Sequence, residues 1–318
     1  MKSFKYFSIA LLFLCPLTWA GSELCISNNS PFHQFHFIPC LSTVAQSDSY
    51  QIVLSSERSN IFYYDEGSLL SNEQAVVDGE INRQRLQFEK QVSGFLLGAE
   101  MTQVGFASGN WDSVIEGWHS AFDFVNWDRE NYPQNHLQHS YQSKHANITI
   151  SEPQDTRRYS YYLGYALGEY NQWLEAIRLG YATTGNNQLM SPSSSWLSLQ
   201  SSSYRLKAGH SMKFSGGLSY SETNGVLAGI QNNWVYFGGV SYGYRCFNSV
   251  DLVVQANGSS AHYKSESVIL GKPSSQLTAA LFWRLSRGNE FSFALVEDIQ
   301  IGASPDVTLQ IGYSYKSN

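Results

Sequence analysis

The sequence is short of charge. Asp, Glu, Lys and Arg make up 14% of its 318 residues, well under the roughly 25% of an average soluble domain. It has no basic stripe and a formal net charge of −6, which speaks against a nucleic-acid partner. Repeated apolar runs of about 20 residues are missing, which excludes a helical membrane protein. Cysteine is scarce at four residues, and none forms a Cys-x-x-Cys pair. His33 and His36 stand near Cys40 without the second cluster that a zinc site needs. No metal and no cofactor are expected. What the chain does have is aromatic residues: 20 Tyr, 18 Phe and 8 Trp. A disordered chain would lack them. Yet the mean hydropathy is only −0.27. The combination points to a β-rich chain in which uncharged polar residues alternate with aromatics.

One apolar run is present, at the N-terminus. Lys2 and Lys5 precede Phe7 to Leu14, and Thr18-Trp19-Ala20 ends the stretch with small residues at both specificity positions. This predicts a secretory signal peptide, residues 1–20, cut after Ala20. Cys15 falls inside it. In an exported protein the remaining cysteines are expected to oxidise. Cys25 and Cys40 close a short loop and are the expected disulfide, which leaves Cys246 over.

Period-two alternation recurs along the rest of the chain. Tyr159, Tyr161, Leu163 and Tyr165 share one face, with Arg158, Ser160 and Gly164 on the other and Tyr162 as the exception. Leu277, Ala279, Leu281, Trp283 and Leu285 repeat the pattern, as do Leu309, Ile311, Tyr313 and Tyr315. A soluble sandwich would turn such a face inward. A transmembrane barrel turns it to lipid and lines its lumen with small and polar residues. Segment lengths of about 9–12 residues, aromatics near segment ends and connections alternating between short and long favour the barrel. The expected fold is therefore all-β, an antiparallel barrel of 12 strands over residues 50–318, preceded by a periplasmic segment, 21–49. The predicted spans are 50–64, 79–90, 95–104, 157–168, 171–183, 195–204, 211–220, 234–244, 249–257, 276–285, 290–298 and 306–315. Arg83 and Arg85 must then face the lumen or sit near an interface, because a lipid-facing Arg costs about 2–4 kcal/mol at midplane. Glu175 is expected on the apolar face near an interface. Gln310 to Tyr315 fits the start of a signal read by the outer-membrane assembly machinery, followed here by Lys316-Ser317-Asn318.

Residues 105–155 form a long external loop, too long for a plain connector. Asp112 is expected to cap a short helix there, with Val114, Ile115, Trp118, Ala121 and Phe122 on its buried side. Glu116, His119, Asp128 and Arg129 are the candidate ligand contacts. The competing reading is a salt-bridged loop packed on the rim. At these residues the chain resembles a proteobacterial family, domain of unknown function 3187. Asn29-Ser30-Pro31-Phe32 with Phe37 and Pro39 is similar to its opening segment. Ile115 to Phe122, then Arg129 and Pro133-Gln134-Asn135, is similar to its central segment. Glu297-Asp298 and Ser304-Pro305-Asp306-Val307-Thr308 are similar to its closing one. The Cys25/Cys40 pair and Thr183-Thr184-Gly185, where Pro-Thr-Gly is usual, depart from the pattern. The resemblance implies an outer-membrane barrel and supplies no activity.

Three functions are compatible with these observations. The leading one is a pore or uptake path for a small solute in a Gram-negative outer membrane, without catalysis. Its partners are outer-membrane lipid and the barrel assembly machinery. The second is a structural or assembly barrel that binds a periplasmic partner through 21–49. The third is a lipid-acting hydrolase built on His119-Ser120 or His210-Ser211. Sequence neighbours on a strand point to opposite sides, so adjacency alone makes no catalytic pair.

Overall fold

The computed structural model describes residues 24–40, 48–65, 72–122, 129–167, 173–184, 191–201, 204–207, 209–223, 225–286, 288–300 and 302–317. The signal peptide with its cut after Ala20, and Asp128, lie outside these residues. In chain order the strands are β1 (Tyr50–Asp65), β2 (Gln74–Val92), β3 (Phe95–Ala107), β4 (Gln138–Gln142), β5 (Asn147–Ile150), β6 (Gln154–Ala166), β7 (Leu174–Thr184) and β8 (Ser193–Ser201). They continue with β9 (Tyr204–Lys207), β10 (His210–Ser221), β11 (Trp234–Phe247), β12 (Val250–Ser259), β13 (Ser274–Ser286), β14 (Asn289–Asp298) and β15 (Val307–Lys316). Two helices join them, α1 (Asp112–Phe122) and α2 (Val268–Gly271). No helix among the described residues is long and apolar enough to cross a membrane.

Each barrel strand pairs antiparallel with its neighbours, and β1 pairs with both β2 and β15, which closes the sheet. Twelve staves make the barrel, with β8 and β9 sharing one stave against β10. The hairpin β4–β5 stands outside the count and extends the sheet from the upper end of β2. Every predicted span overlaps one of these staves; positions 168, 171, 172, 202 and 203 lie outside the described residues, and Ser249 and Asp306 precede their strands.

The two faces differ as a lipid-embedded barrel requires. On β6 Tyr161 is 56% exposed and Ser160 only 3%. On β13 Trp283 is 55% exposed, while Thr278 is buried. Aliphatic and aromatic side chains thus cover the outside, where hydrocarbon replaces a packed core and contributes about 1.5–3 kcal/mol per large apolar side chain. Short turns join the staves at one end. Between β2 and β3 the turn is Ser93-Gly94, with φ of 49° and 85°. Both values are positive, as in the two-residue hairpin turn that matches strand twist.

The inner face carries ion pairs. Arg83 and Arg85 do point inward and are 7% and 6% exposed. Arg178 meets Glu89 at 2.9 Å, and Arg245 pairs with Asp251. Tyr162, the exception in the alternation, turns into the lumen and donates to Glu89 at 3.0 Å. Its ring lies over Gly98, where a Cβ would meet it at 1.9 Å. The expectation for Glu175 needs correction. The register shifts between Leu174 and Ala176, a bulge that re-aims the side chain. Glu175 reaches the buried Lys213 at 2.7 Å instead of facing lipid.

At the end with the long connections the interior turns apolar. Ile61 and Phe106 of the wall pack there with Tyr141 and Ile148 of the hairpin, Ile230, and Leu270 of α2. The connections fold inward over the mouth and form a core of their own.

Candidate functional site in the barrel lumen

Residues 24–40 are the described part of the N-terminal segment. It touches inward side chains of β1, β2, β6, β10, β12 and β15, strands spread around the whole circumference. A segment in contact with opposite walls lies in the lumen. We call it the plug.

Local chemistry shapes it. Asn28 accepts from the Ser30 amide at 2.8 Å, an Asx-type turn. Pro31 at φ −56° then leads into one 3-10 turn, Phe32–Phe35. Gln34 donates back to the Asn28 carbonyl at 2.6 Å. Cys25 and Cys40 are disulfide-bonded with their Cα atoms 5.1 Å apart, so the plug is a stapled loop. Cys246 forms no disulfide among the described residues.

The wall holds this loop largely by its backbone. Gln255 donates to the Leu24 carbonyl at 2.9 Å and accepts from the Leu24 amide at 3.2 Å. Gln310 donates to the Cys25 carbonyl at 2.9 Å. Arg158, Ser219 and Tyr263 donate to the carbonyls of Gln34, Phe37 and Phe32 at 2.5, 2.6 and 2.8 Å. Side-chain grips add to these, among them the Arg85 bond to the Cys40 sulfur and the Asn29 bond to Ser59 at 2.9 Å. Asn29 donates to Glu57 at 2.8 Å, and Arg83 donates to the Gln34 amide oxygen. Phe32 and Phe35 enter the apolar core at the mouth, so plug and folded-in connections meet.

His33 and His36 of the plug gather with His262 of the connection after β12. The His262 ring lies 4.2 Å from His33 and 5.1 Å from His36 between centroids. Burial pushes His33 down to about 3, helped by His36. Burial pushes His36 down to about 4, with Arg158 adding to the effect. His262 is driven well below the usual histidine value by burial and by both partners. All three are neutral in the folded state at neutral pH. No group of His, Cys, Asp and Glu suited to a metal ion occurs among the described residues. Sequence reasoning saw His33 and His36 but not His262, which stands more than 200 positions away outside any pattern.

The three candidate loop residues that the structure describes separate. Arg129 is buried, donates to Asn60 of β1 at 2.6 Å and pairs with Asp306 at 3.2 Å. His119 lies within electrostatic reach of the same Asp306. Burial raises the Asp306 carboxyl, and the Arg129 and His119 charges oppose that rise. Glu116 stands apart and accepts from Gln134 at 3.2 Å. Arg129 thus ties the loop to the rim. The helix face also differs from expectation. Asp112, Ile115 and His119 are its buried residues, whereas Val114 is 62% exposed. The reason is that α1 packs on polar partners. Asp112 accepts from Asn60 at 2.9 Å and from the Asn135 amide at 2.6 Å, tying α1 to β1 instead of capping it. Glu80 takes the amides of Asn110 and Trp111 at 2.6 and 2.7 Å. Gly109 at φ +71° lets that carboxylate approach, since a Cβ there would meet it at 1.9 Å.

Neither histidine–serine neighbour forms a dyad. His119 is buried and Ser120 exposed on α1, and Ser211 turns inward beside a His210 whose Nδ1 meets the Tyr242 hydroxyl.

A family model described as "Protein of unknown function (DUF3187)" matches residues 21–317. No curated protein matches the chain. Among solved structures, the COG4313 outer membrane channel from Pseudomonas putida F1 is similar at 11% identity and a TM-score of 0.47, over 89% of this chain and 98% of that one. The NanC porin is similar at 11% identity and 0.44, over 83% and 98%. The KdgM porin is similar at 9% identity and 0.44, over 84% and 99%.

Proposed function

The chain belongs to that family, Protein of unknown function (DUF3187), and from its filled, polar-walled lumen we propose that it is a gated outer-membrane pore, an uptake path for a small solute. One observation carries the reading. The plug is held by side chains that donate to its backbone, and among the described residues no strand pairing joins it to the wall. Each such bond contributes about 0.5–1.5 kcal/mol net, and water in a wetted lumen can replace them one at a time. Displacing the plug would leave a lumen lined by Arg, Glu, Gln and Ser, which suits a polar solute. The residues expected to act are those of the plug and its wall, with Glu116, His119 and Arg129 part of the covering loop.

A scaffold that offers 21–49 to a periplasmic partner would need that segment outside, and residues 24–40 are spent on lumen contacts. A lipid hydrolase would need a serine within reach of a histidine, which neither neighbour pair supplies. Single-channel recording in planar bilayers tests the pore. The full chain is expected to conduct little, and a chain lacking 24–40 to give steady stepwise openings. No openings from either would sink the reading.

A further inference from the structure

We propose that the lumen carries a binding site for a small oxyanion, a carboxylate or phosphate group, at Arg83, Arg85 and Arg158. The three guanidiniums come from β2 and β6 and line one cavity between plug and wall, with about 480 Å³ of empty space, its opening included. A guanidinium withdrawn from water needs a carboxylate or a full set of acceptors. Elsewhere on the inner wall that rule holds: Arg178 has Glu89, Arg245 has Asp251 and Lys213 has Glu175. Here it fails. Arg85 has no carboxylate within 4.0 Å among the described residues, and its hydrogen bond runs to the Cys40 sulfur at 2.5 Å, a weak acceptor. The Nε atoms of both Arg83 and Arg85 are buried without an acceptor. For Arg83 the nearest carboxylate, Glu57, is 3.8 Å away. Glu100 is the single acid on the cavity lining, and it already accepts from Thr102 at 3.0 Å. Three guanidiniums thus share the cavity with one lining carboxylate, Glu100, while Glu57 stands outside the lining and 3.8 Å from Arg83, and planar guanidinium forks match the oxygens of a carboxylate or phosphate.

The same guanidiniums grip the plug through neutral acceptors, the Gln34 amide oxygen, the Gln34 carbonyl and the Cys40 sulfur. A charge-assisted bond is about twice as strong as a neutral one. An entering oxyanion therefore competes with the plug for these arginines. As a statement of what enters the lumen, the site rests on the pore reading.

Calorimetric titration of inorganic phosphate into the full chain in detergent tests the site without any conductance. The wild type is expected to bind saturably. Arg85→Gln is expected to bind about tenfold more weakly, because the charge-assisted contact is lost. Arg284→Gln, whose guanidinium pairs with Asp251, should bind as the wild type does. Glu100→Gln removes the opposing carboxylate and is expected to bind about threefold tighter or better. A gain of affinity does not arise from misfolding, so that variant decides the matter even if Arg85→Gln fails to fold. Absence of saturable binding to the wild type, or binding indifferent to both Arg85 and Glu100, overturns the proposal. Phosphate binding with no conductance from the plug-deleted chain refutes the pore and leaves the site standing; conductance without binding does the reverse.

Discussion

The Cys25–Cys40 bond permits a quantitative test of how the plug is held. Replacing both cysteines by serine frees a loop with a sequence separation of 15. While the plug is docked, the wall already fixes that loop, so the bond adds little order. When it undocks, the unstapled segment gains the chain entropy that the staple withheld. For a loop of this length the chain-entropy estimate is about 3 kcal/mol at 25 °C. At about 1.4 kcal/mol per decade, the undocked fraction rises by roughly two orders of magnitude. Serine still offers an acceptor to Arg85 where Cys40 now does, so the lost contact offsets little of this. Amide hydrogen exchange followed by mass spectrometry reads the change directly, because exchange of protected amides tracks local opening. A peptide over residues 28–38 is expected to exchange about 100-fold faster in the double variant. Peptides from β13 should be unchanged. Acceleration of the plug peptide by less than about threefold would refute the claim that the staple restrains the undocked loop.

Acid should loosen the plug as well. His33 and His36 are held near 3 and 4 when docked against an ordinary 6.5. Their contribution is complete above pH 6.5 and is lost as pH falls from 6.5 towards 4, so docking weakens by roughly 100-fold near pH 5.5 if both titrate. The groups that face them are each other, His262 and Arg158. Plug exchange, corrected for intrinsic rate, that stays flat from pH 7 to 5 contradicts this. Arg129→Ala strands a half-buried Asp306 and is expected to cost about 3 kcal/mol, the lower end for a buried pair because that side chain keeps some exposure; an unaltered midpoint in urea unfolding of the full protein would show that the pair carries no such load.

The barrel was legible because lipid imposes a rule on every second residue. On β13 Leu277, Leu281 and Trp283 face out while Gln276, Thr278 and Ala280 face in, and that alternation is local enough to read from sequence. The plug follows no such rule. Its residues meet Gln255, Ser219 and Gln310, partners far along the chain, and Asn28 to Phe37 show no period at all. On α1 the expected apolar side was mistaken for a different physical reason. The helix buries Asp112 and His119 against Asn60 and Asp306, so its inner face is polar and the hydrophobic pattern misleads. Glu175 was misplaced because a bulge changes side-chain parity without leaving a mark in composition. For Arg83 and Arg85 cost alone left two places, the lumen or an interface, and the structure has them in the lumen. What the cost argument could not supply was their neighbour, since Cys40 and Gln34 reach them only through a segment that the alternation does not place.

The wall's grip on the plug has a consequence for how the two parts can vary. Gln255, Gln310, Ser219, Arg158 and Tyr263 address carbonyls that every amino acid possesses. Part of the information for docking therefore resides in the barrel, which specifies a route for a chain through bonds that do not depend on its side chains. Over evolutionary time the plug is free to drift only where its side chains make no contact of their own, since the cysteines, Asn29, Phe32, Phe35 and Gln34 are each engaged. The wall residues that trace that course carry the heavier constraint.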